Sequence, residues 1–225
     1  MPELYRIKRE ITEVGRRMYA RGMVAANDGN ISVRLGGGLF AVTAAGVSKG
    51  FLGPDDVVVV DESGRKIEGA SRPTSELKLH LFAYSRRPDV GAVCHAHPPF
   101  ATAFAVSGRA LPPDILPEII LAVGGGIPLT PYATPSTEEL ARSIEECVAG
   151  ADAFLLANHG VLTLGADLTQ AYHRLETVEH YAKIAWLALS LGGATPLPEG
   201  ELDRLWCISK GLAPDCREGG REPKE

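Results

Sequence analysis

The chain has 225 residues, 45% hydrophobic and 23% charged, so it can bury a core and is too apolar to stay disordered. Lys plus Arg is 23 and Asp plus Glu is 28, a net charge of −5. That balance excludes a general binder of nucleic acid or anionic membrane, though not a local basic pocket for one phosphate.

The elements follow in chain order. Leu4, Ile7, Ile11, Val14 and Met18 recur at helical spacing and predict an amphipathic helix ending near Gly22. Gly29 and Asn30 lead into a short strand, and residues 39–43 form a second. The β-branched run 57–60, the turn Asp61-Glu62-Ser63-Gly64 and Lys66-Ile67 read as a hairpin. A helix is expected over 75–84 and a strand over 90–95, stopped by Pro98-Pro99. Ser136 and Glu139 have the spacing of a capping box for a helix running to about 148. Strands 153–157 and 161–164 flank Asn158-His159-Gly160. A last long helix starts near Asp167. Its buried face is expected to carry Leu168, Tyr172, Leu175, Val178, Ala182, Ala185, Trp186 and Leu189, and it stops at Gly192-Gly193.

No repeat or internal linker interrupts residues 1–210, which read as one domain; 211–225 read as a flexible tail. Hairpins mixed with helices predict an α/β fold with a mainly antiparallel sheet between helical layers. No apolar run approaches the ~18 residues of a membrane-spanning helix. The charged start, Met1 to Arg6, is unlike a secretory leader. Cys94, Cys147, Cys207 and Cys216 form no CxxC pair, so reduced thiols in a cytoplasm are expected.

Three of the six histidines sit where strands end. His95 and His97 are two apart, so both rings point to one face, as a chelating pair requires. His159 ends another apolar strand. Three histidines and an open position are the ligand set of a catalytic zinc. His173 and His180 read as ordinary helix residues, His80 as a supporting residue four after Glu76, and Cys94 as core on the opposite face from His95. Glu76 lies at a loop-to-helix junction, in Arg72-Pro73-Thr74-Ser75-Glu76. Two readings stand there: an acid/base beside a phosphate cradle, or a plain helix cap with a dipole-favoured first-turn acid.

The ordered set Gly29-Asn30-Ile31-Ser32, Thr43-Ala44-Ala45-Gly46, Thr74-Ser75-Glu76, His95-Ala96-His97-Pro98, Pro131-Tyr132-Ala133 and Asn158-His159-Gly160 resembles class II aldolases over about residues 4–200. The likeness is to the L-fuculose-1-phosphate aldolase branch of the class II aldolase/adducin superfamily. It implies a three-layer α/β/α fold and a zinc ion held by His95, His97 and His159. It implies that Glu76 is the catalytic acid/base, able to occupy the fourth metal position without substrate. It places phosphate at Asn30, Gly46, Thr74 and Ser75, and implies a homotetramer with active sites between subunits. The expected reaction is reversible cleavage of a ketose 1-phosphate to dihydroxyacetone phosphate and an aldehyde through a metal-stabilised enediolate. The same motifs occur in 4-epimerases, dehydratases and decarboxylases, and adducin-like members are non-catalytic.

Three departures bear on the substrate. Ala45 stands where many relatives have Thr or Ser, with Lys49 nearby as a substitute contact or a solvated side chain. A gapless alignment back from Gly124 puts Glu118 where the fuculose-phosphate enzymes have a tyrosine. Residues 200–225 contain no tyrosine to cover the site. Glu118 is therefore the expected aldehyde-end residue.

Overall fold

A computed structural model describes residues 2–124, 126–214 and 216. Helix α1 (Pro2–Ala20) buries Ile11, Val14 and Met18, the expected stripe. Strands β1 (Asn30–Gly36) and β2 (Leu39–Thr43) form a hairpin, as do β3 (Val57–Asp61) and β4 (Lys66–Glu68). Helix α2 (Leu77–Arg86) precedes β5 (Ala92–Ala96). Then come α3 (Pro99–Val106), α4 (Pro117–Val123), β6 (Leu129–Thr130) and α5 (Glu138–Arg142). The chain continues through β7 (Ala153–Leu156), β8 (Gly160–Gly165), α6 (Leu168–Ser190) and α7 (Glu201–Ser209).

The eight strands form one sheet in the order β4-β3-β2-β1-β5-β8-β7-β6. Every neighbouring pair is antiparallel except β6 with β7. Side chains alternate between two cores. One holds Ile31, Ala92, Cys94 and Ala96 with the apolar faces of α1, α3, α4, α6 and α7. The other holds Val42, Val93, Leu162 and Leu164 with α2 and α5. This is the expected α/β/α sandwich, and Cys94 lies in the core opposite His95, as strand alternation requires.

Four local expectations change. The cap of α5 is Thr137, whose hydroxyl accepts from the Leu140 amide, because Ser136 sits at φ +68° and is turned out of the capping position. That helix ends at Arg142, and Ile144 and Val148 are buried from turns rather than helix. The apolar face of α6 stops being buried at Ala185: Trp186 is 49% and Leu189 44% exposed, with Trp186 packed on Phe100. A 23-residue helix spans about 34 Å, longer than the five-residue strand beneath it. Finally, Cys207 and Cys216 are joined in a disulfide, while Cys94 and Cys147 are free. The turn after α7 returns the chain, with the Leu212 amide on the Cys207 carbonyl, and brings together two thiols nine residues apart. Most of the expected 211–225 tail (215 and 217–225) lies outside the described residues. Among the described residues no helix is long and apolar enough to cross a membrane.

Candidate metal centre and its surroundings

The site is built where β1, β5 and the β7–β8 turn end beside the start of α2. In the β1–β5 ladder Asn30 lies opposite His95, so both face α2. Pro98 and Pro99 cannot continue the ladder, and His97 leaves it with its amide on the Met23 carbonyl. Directly beyond, the half-buried Glu179 of α6 accepts from the Phe100 and Ala101 amides and caps α3. Two glycines let other loops close on this strand. A Cβ on Gly29 (φ +72°) would lie 2.8 Å from the His95 carbonyl oxygen. A Cβ on Gly160 would lie 2.4 Å from the Ala96 carbonyl oxygen and 2.6 Å from the His97 ring. Asn158 turns the chain at φ +55° and delivers His159.

His95, His97 and His159 come together, their ligating nitrogens all within 4.8 Å of one another. Nε2 of His95 lies 3.1 Å from Nε2 of His97 and 3.0 Å from Oε2 of Glu76. Nε2 of His159 lies 3.1 Å from Oε1 of Glu76. Nδ1 of His95 is 2.9 Å from the Val161 carbonyl oxygen, which only accepts, so Nδ1 carries the hydrogen. Nε2 of the neutral ring is then a lone pair aimed at a carboxylate oxygen and a second imidazole. Such a convergence repels unless a cation or proton lies within it. Oε1 of Glu76 and Nδ1 of His159 are buried without a hydrogen-bond partner among the described residues. The donor set therefore fits a divalent metal ion, with Zn–N distances near 2.0–2.1 Å being ordinary for three imidazoles.

Electrostatics follow from burial and crowding. Burial works to raise the Glu76 carboxyl, but positive charge on the His95 and His159 imidazoles, when they are protonated, outweighs it and holds the carboxyl well below the usual carboxylate range. His97 is pushed down to about 4 by burial and by the two neighbouring imidazoles. Asp28, which the sequence pattern did not single out, lies 3.5 Å from the His97 Nδ1.

A cavity of about 300 Å³ opens beside this cluster, lined by Asn30, Gly46, Thr74, Ser75, Glu76, His97 and His159 among others. Backbone pairing makes its floor: the Thr74 amide donates to the Thr43 carbonyl, and the Ala45 amide to the Arg72 carbonyl. The 72–75 segment is thereby laid against the 43–46 loop. Lys49 also lines the cavity, yet its side chain is buried and not solvated. Its Nζ donates to the carbonyls of Asn27 (3.2 Å) and Val47 (2.6 Å). Burial pushes its ammonium down to about 8, against the pull of Asp28. Glu118 does not join them. It is exposed in the first turn of α4 and does not line the cavity of the single chain. Asn30 has its side chain committed to protein partners, donating to Glu76 and accepting from His80.

A fold of this topology with three histidines and a carboxylate at the sheet's end defines a metal-binding α/β/α class. Residues 9–186 match the model of the class II aldolase and adducin N-terminal domain, and the chain belongs to this family. It is 34% identical over 203 residues to the 5-deoxy-D-ribulose 1-phosphate aldolase of Bacillus thuringiensis serovar kurstaki, covering 90% of this chain and 94% of that protein. It is 35% identical to the L-fuculose phosphate aldolase of Methanococcus maripaludis, covering 81% and 97%. The solved structure of an L-fuculose 1-phosphate aldolase superposes with a TM-score of 0.84 at 33% identity, covering 90% and 95%. Relatives named for other chemistry also match, such as the methylthioribulose-1-phosphate dehydratase of Methylococcus capsulatus, 35% identical over 76% of this chain and 88% of that protein.

Proposed function

We propose that this protein is a metal-dependent lyase that reversibly cleaves a ketose 1-phosphate to dihydroxyacetone phosphate and an aldehyde. The observation that carries the reading is the convergence of His95, His97, His159 and Glu76 on one point beside a polar cavity. The three histidines would hold one divalent ion, taken as zinc. When bound, the metal supplies a Lewis acid for the negative charge that develops on the substrate oxygens during C–C cleavage.

The remaining work falls to the chain. In cleavage Glu76 takes the proton from the hydroxyl whose carbon becomes the aldehyde and passes it to the carbon that the broken C–C bond leaves behind, completing dihydroxyacetone phosphate; the reverse direction runs the same transfers backwards. Gly46, Thr74 and Ser75 hold the phosphate, with Asn30 at the boundary between phosphate and Glu76. Lys49, buried behind the loop, adds a positive field, with no carboxylate in contact among the described residues. This phosphate grip positions the reacting bond and contributes remote binding energy. Glu118, exposed within one chain, would reach a site only as the neighbour's contribution in a homotetramer, the assembly this reading adopts.

Incubating the purified protein with a panel of ketose 1-phosphates, with coupled detection of dihydroxyacetone phosphate, tests the reaction. Release of dihydroxyacetone phosphate is expected. Loss of water from the substrate, epimerisation, or loss of carbon dioxide from an oxo-acid phosphate would instead assign one of the sister reactions. A protein that binds no metal would fit the adducin-like alternative, which the four retained site residues count against.

A further inference from the structure

We propose that His80, which does not line the cavity, is a positioning residue for Glu76, acting through the side-chain amide of Asn30. This inference rests on Glu76 being the acid/base. Glu76, at the cap of α2, and His80 and Tyr84 within it are spaced four apart and face β1, where Asn30 and Ser32 share the same side of the sheet. Between them runs one buried chain of hydrogen bonds. Asn30 Nδ2 lies 2.8 Å from Glu76 Oε2, Asn30 Oδ1 2.5 Å from His80 Nε2, His80 Nδ1 2.7 Å from Ser32 Oγ, and Ser32 Oγ 2.9 Å from the Tyr84 hydroxyl.

The chemistry of the first link sets the direction of all the others. An ionised carboxylate only accepts, so Asn30 must present its N–H₂ to Glu76 and its oxygen to His80. His80 must then carry its hydrogen on Nε2, leaving Nδ1 to accept from the Ser32 hydroxyl. Ser32 has one hydrogen and has used it, so Tyr84 donates to Ser32. Reversing any link would set two donors or two acceptors face to face in a buried interface, a costly arrangement.

Asparagine's amide is nearly symmetric in shape, so sterics alone do not decide which end meets Glu76. The carboxylate selects the N–H₂ end, and the His80 N–H completes the hold by taking the oxygen at the other end. Without that donor Asn30 Oδ1 loses its buried partner, and the amide holds Oε2 of Glu76 less firmly. With it, Oε2 of Glu76 is held by a donor, and Oε1, 3.1 Å from Nε2 of His159 and without a hydrogen-bond partner among the described residues, is left for proton transfer. No proton moves along the chain in this role. His80 is fully buried, and burial foremost pushes its imidazole down to about 3, in keeping with a neutral ring.

Two substitutions separate the ends of the ring. His80→Gln can place an amide N–H near the Nε2 position and still donate to Asn30. His80→Asn is shorter, reaches only the Nδ1 position, and can still meet Ser32. The expected result is a loss of kcat on the order of 10²-fold for His80→Asn, with KM and bound metal unchanged. His80→Gln should recover most of it, the two variants having similar melting temperatures. Equal losses in both, or losses that follow melting temperature or metal content, would reduce His80 to a packing role. Nitrogen-15 NMR of the unmodified protein tests the chain without any variant. A bare Nδ1 and a protonated Nε2 on His80 are expected, and a hydrogen on Nδ1 would overturn the proposal. If the unmodified protein binds metal yet cleaves no ketose phosphate, the aldolase reading fails, while the tautomer still reports on the hydrogen-bond chain alone.

Discussion

At the scale of single residues the site divides into groups that bind and groups that move charge. His95 has its tautomer set by the Val161 carbonyl, and His159 stands on a tight turn held by Asn158 and Gly160. Replacing either with Ala should remove most of the bound metal, as read by elemental analysis of the purified variants. Full occupancy in both would move the metal elsewhere. Glu76→Gln keeps the shape of the side chain and removes the proton-transferring group. Turnover should fall by ~10²–10⁴-fold while the metal stays bound, since the three imidazoles are untouched. Lys49 offers a charge rather than a contact. Its ammonium, pushed down to about 8, is positive below that pH and neutral above it. KM for a phosphorylated substrate should rise as pH climbs through about 8, and Lys49→Met should show a raised KM without that pH dependence. A variant whose KM still climbs there would show that another group titrates.

At the scale of elements, the site depends on how strands end. β5 delivers His95 and His97 to one side because its period is two, and Pro98 with Pro99 ends the ladder there. The helix that follows is held by Glu179, whose carboxylate takes two backbone amides at the start of α3. Glu179→Leu would leave those amides without their partner and should cost about 1–3 kcal/mol in chemical denaturation. Some of that loss should appear as weaker metal binding, because α3 anchors the segment leaving His97. A stability loss with unchanged metal affinity would show that α3 and the metal centre are uncoupled. α5 carries a further lesson. Its start was readable as a cap, but the backbone at Ser136 takes a left-handed turn and passes the role to Thr137. Neighbouring hydroxyls are equivalent in sequence, and only the loop path chooses between them.

For the whole molecule, the exposed apolar surface bears on assembly. Trp186, Val106, Tyr132 and Leu191 are 49%, 55%, 62% and 90% exposed, apolar surface that suits contact between copies. A homotetramer is the expected state in sedimentation, and a monomer with full activity would remove the intersubunit role given to Glu118. Specificity belongs to the same scale. A carboxylate there, in place of a phenol, accepts hydrogen bonds and repels anions. With dihydroxyacetone phosphate as donor, kcat/KM should favour short hydroxylated aldehydes over L-lactaldehyde and glyoxylate. A strong preference for either of the latter would show that Glu118 does not face the aldehyde.

What the sequence determined by itself is what short-range geometry controls. The His95–His97 pair on one face, Cys94 in the opposite core and the helical stripe of α1 follow from periods of two and 3.6. The ordered motifs identified the family because each sits at a strand or helix end. The tertiary structure decided which ends meet. β1 lies between β2 and β5, and β8 beside β5, so Asn30, His95 and His159 share one rim although they are distant in the chain. That order also turned His80 from a helix residue four after Glu76 into a partner of Asn30 and left Glu118 out of the cavity. These outcomes come from long-range packing of the sheet and its two helical layers, which no local pattern of spacing encodes.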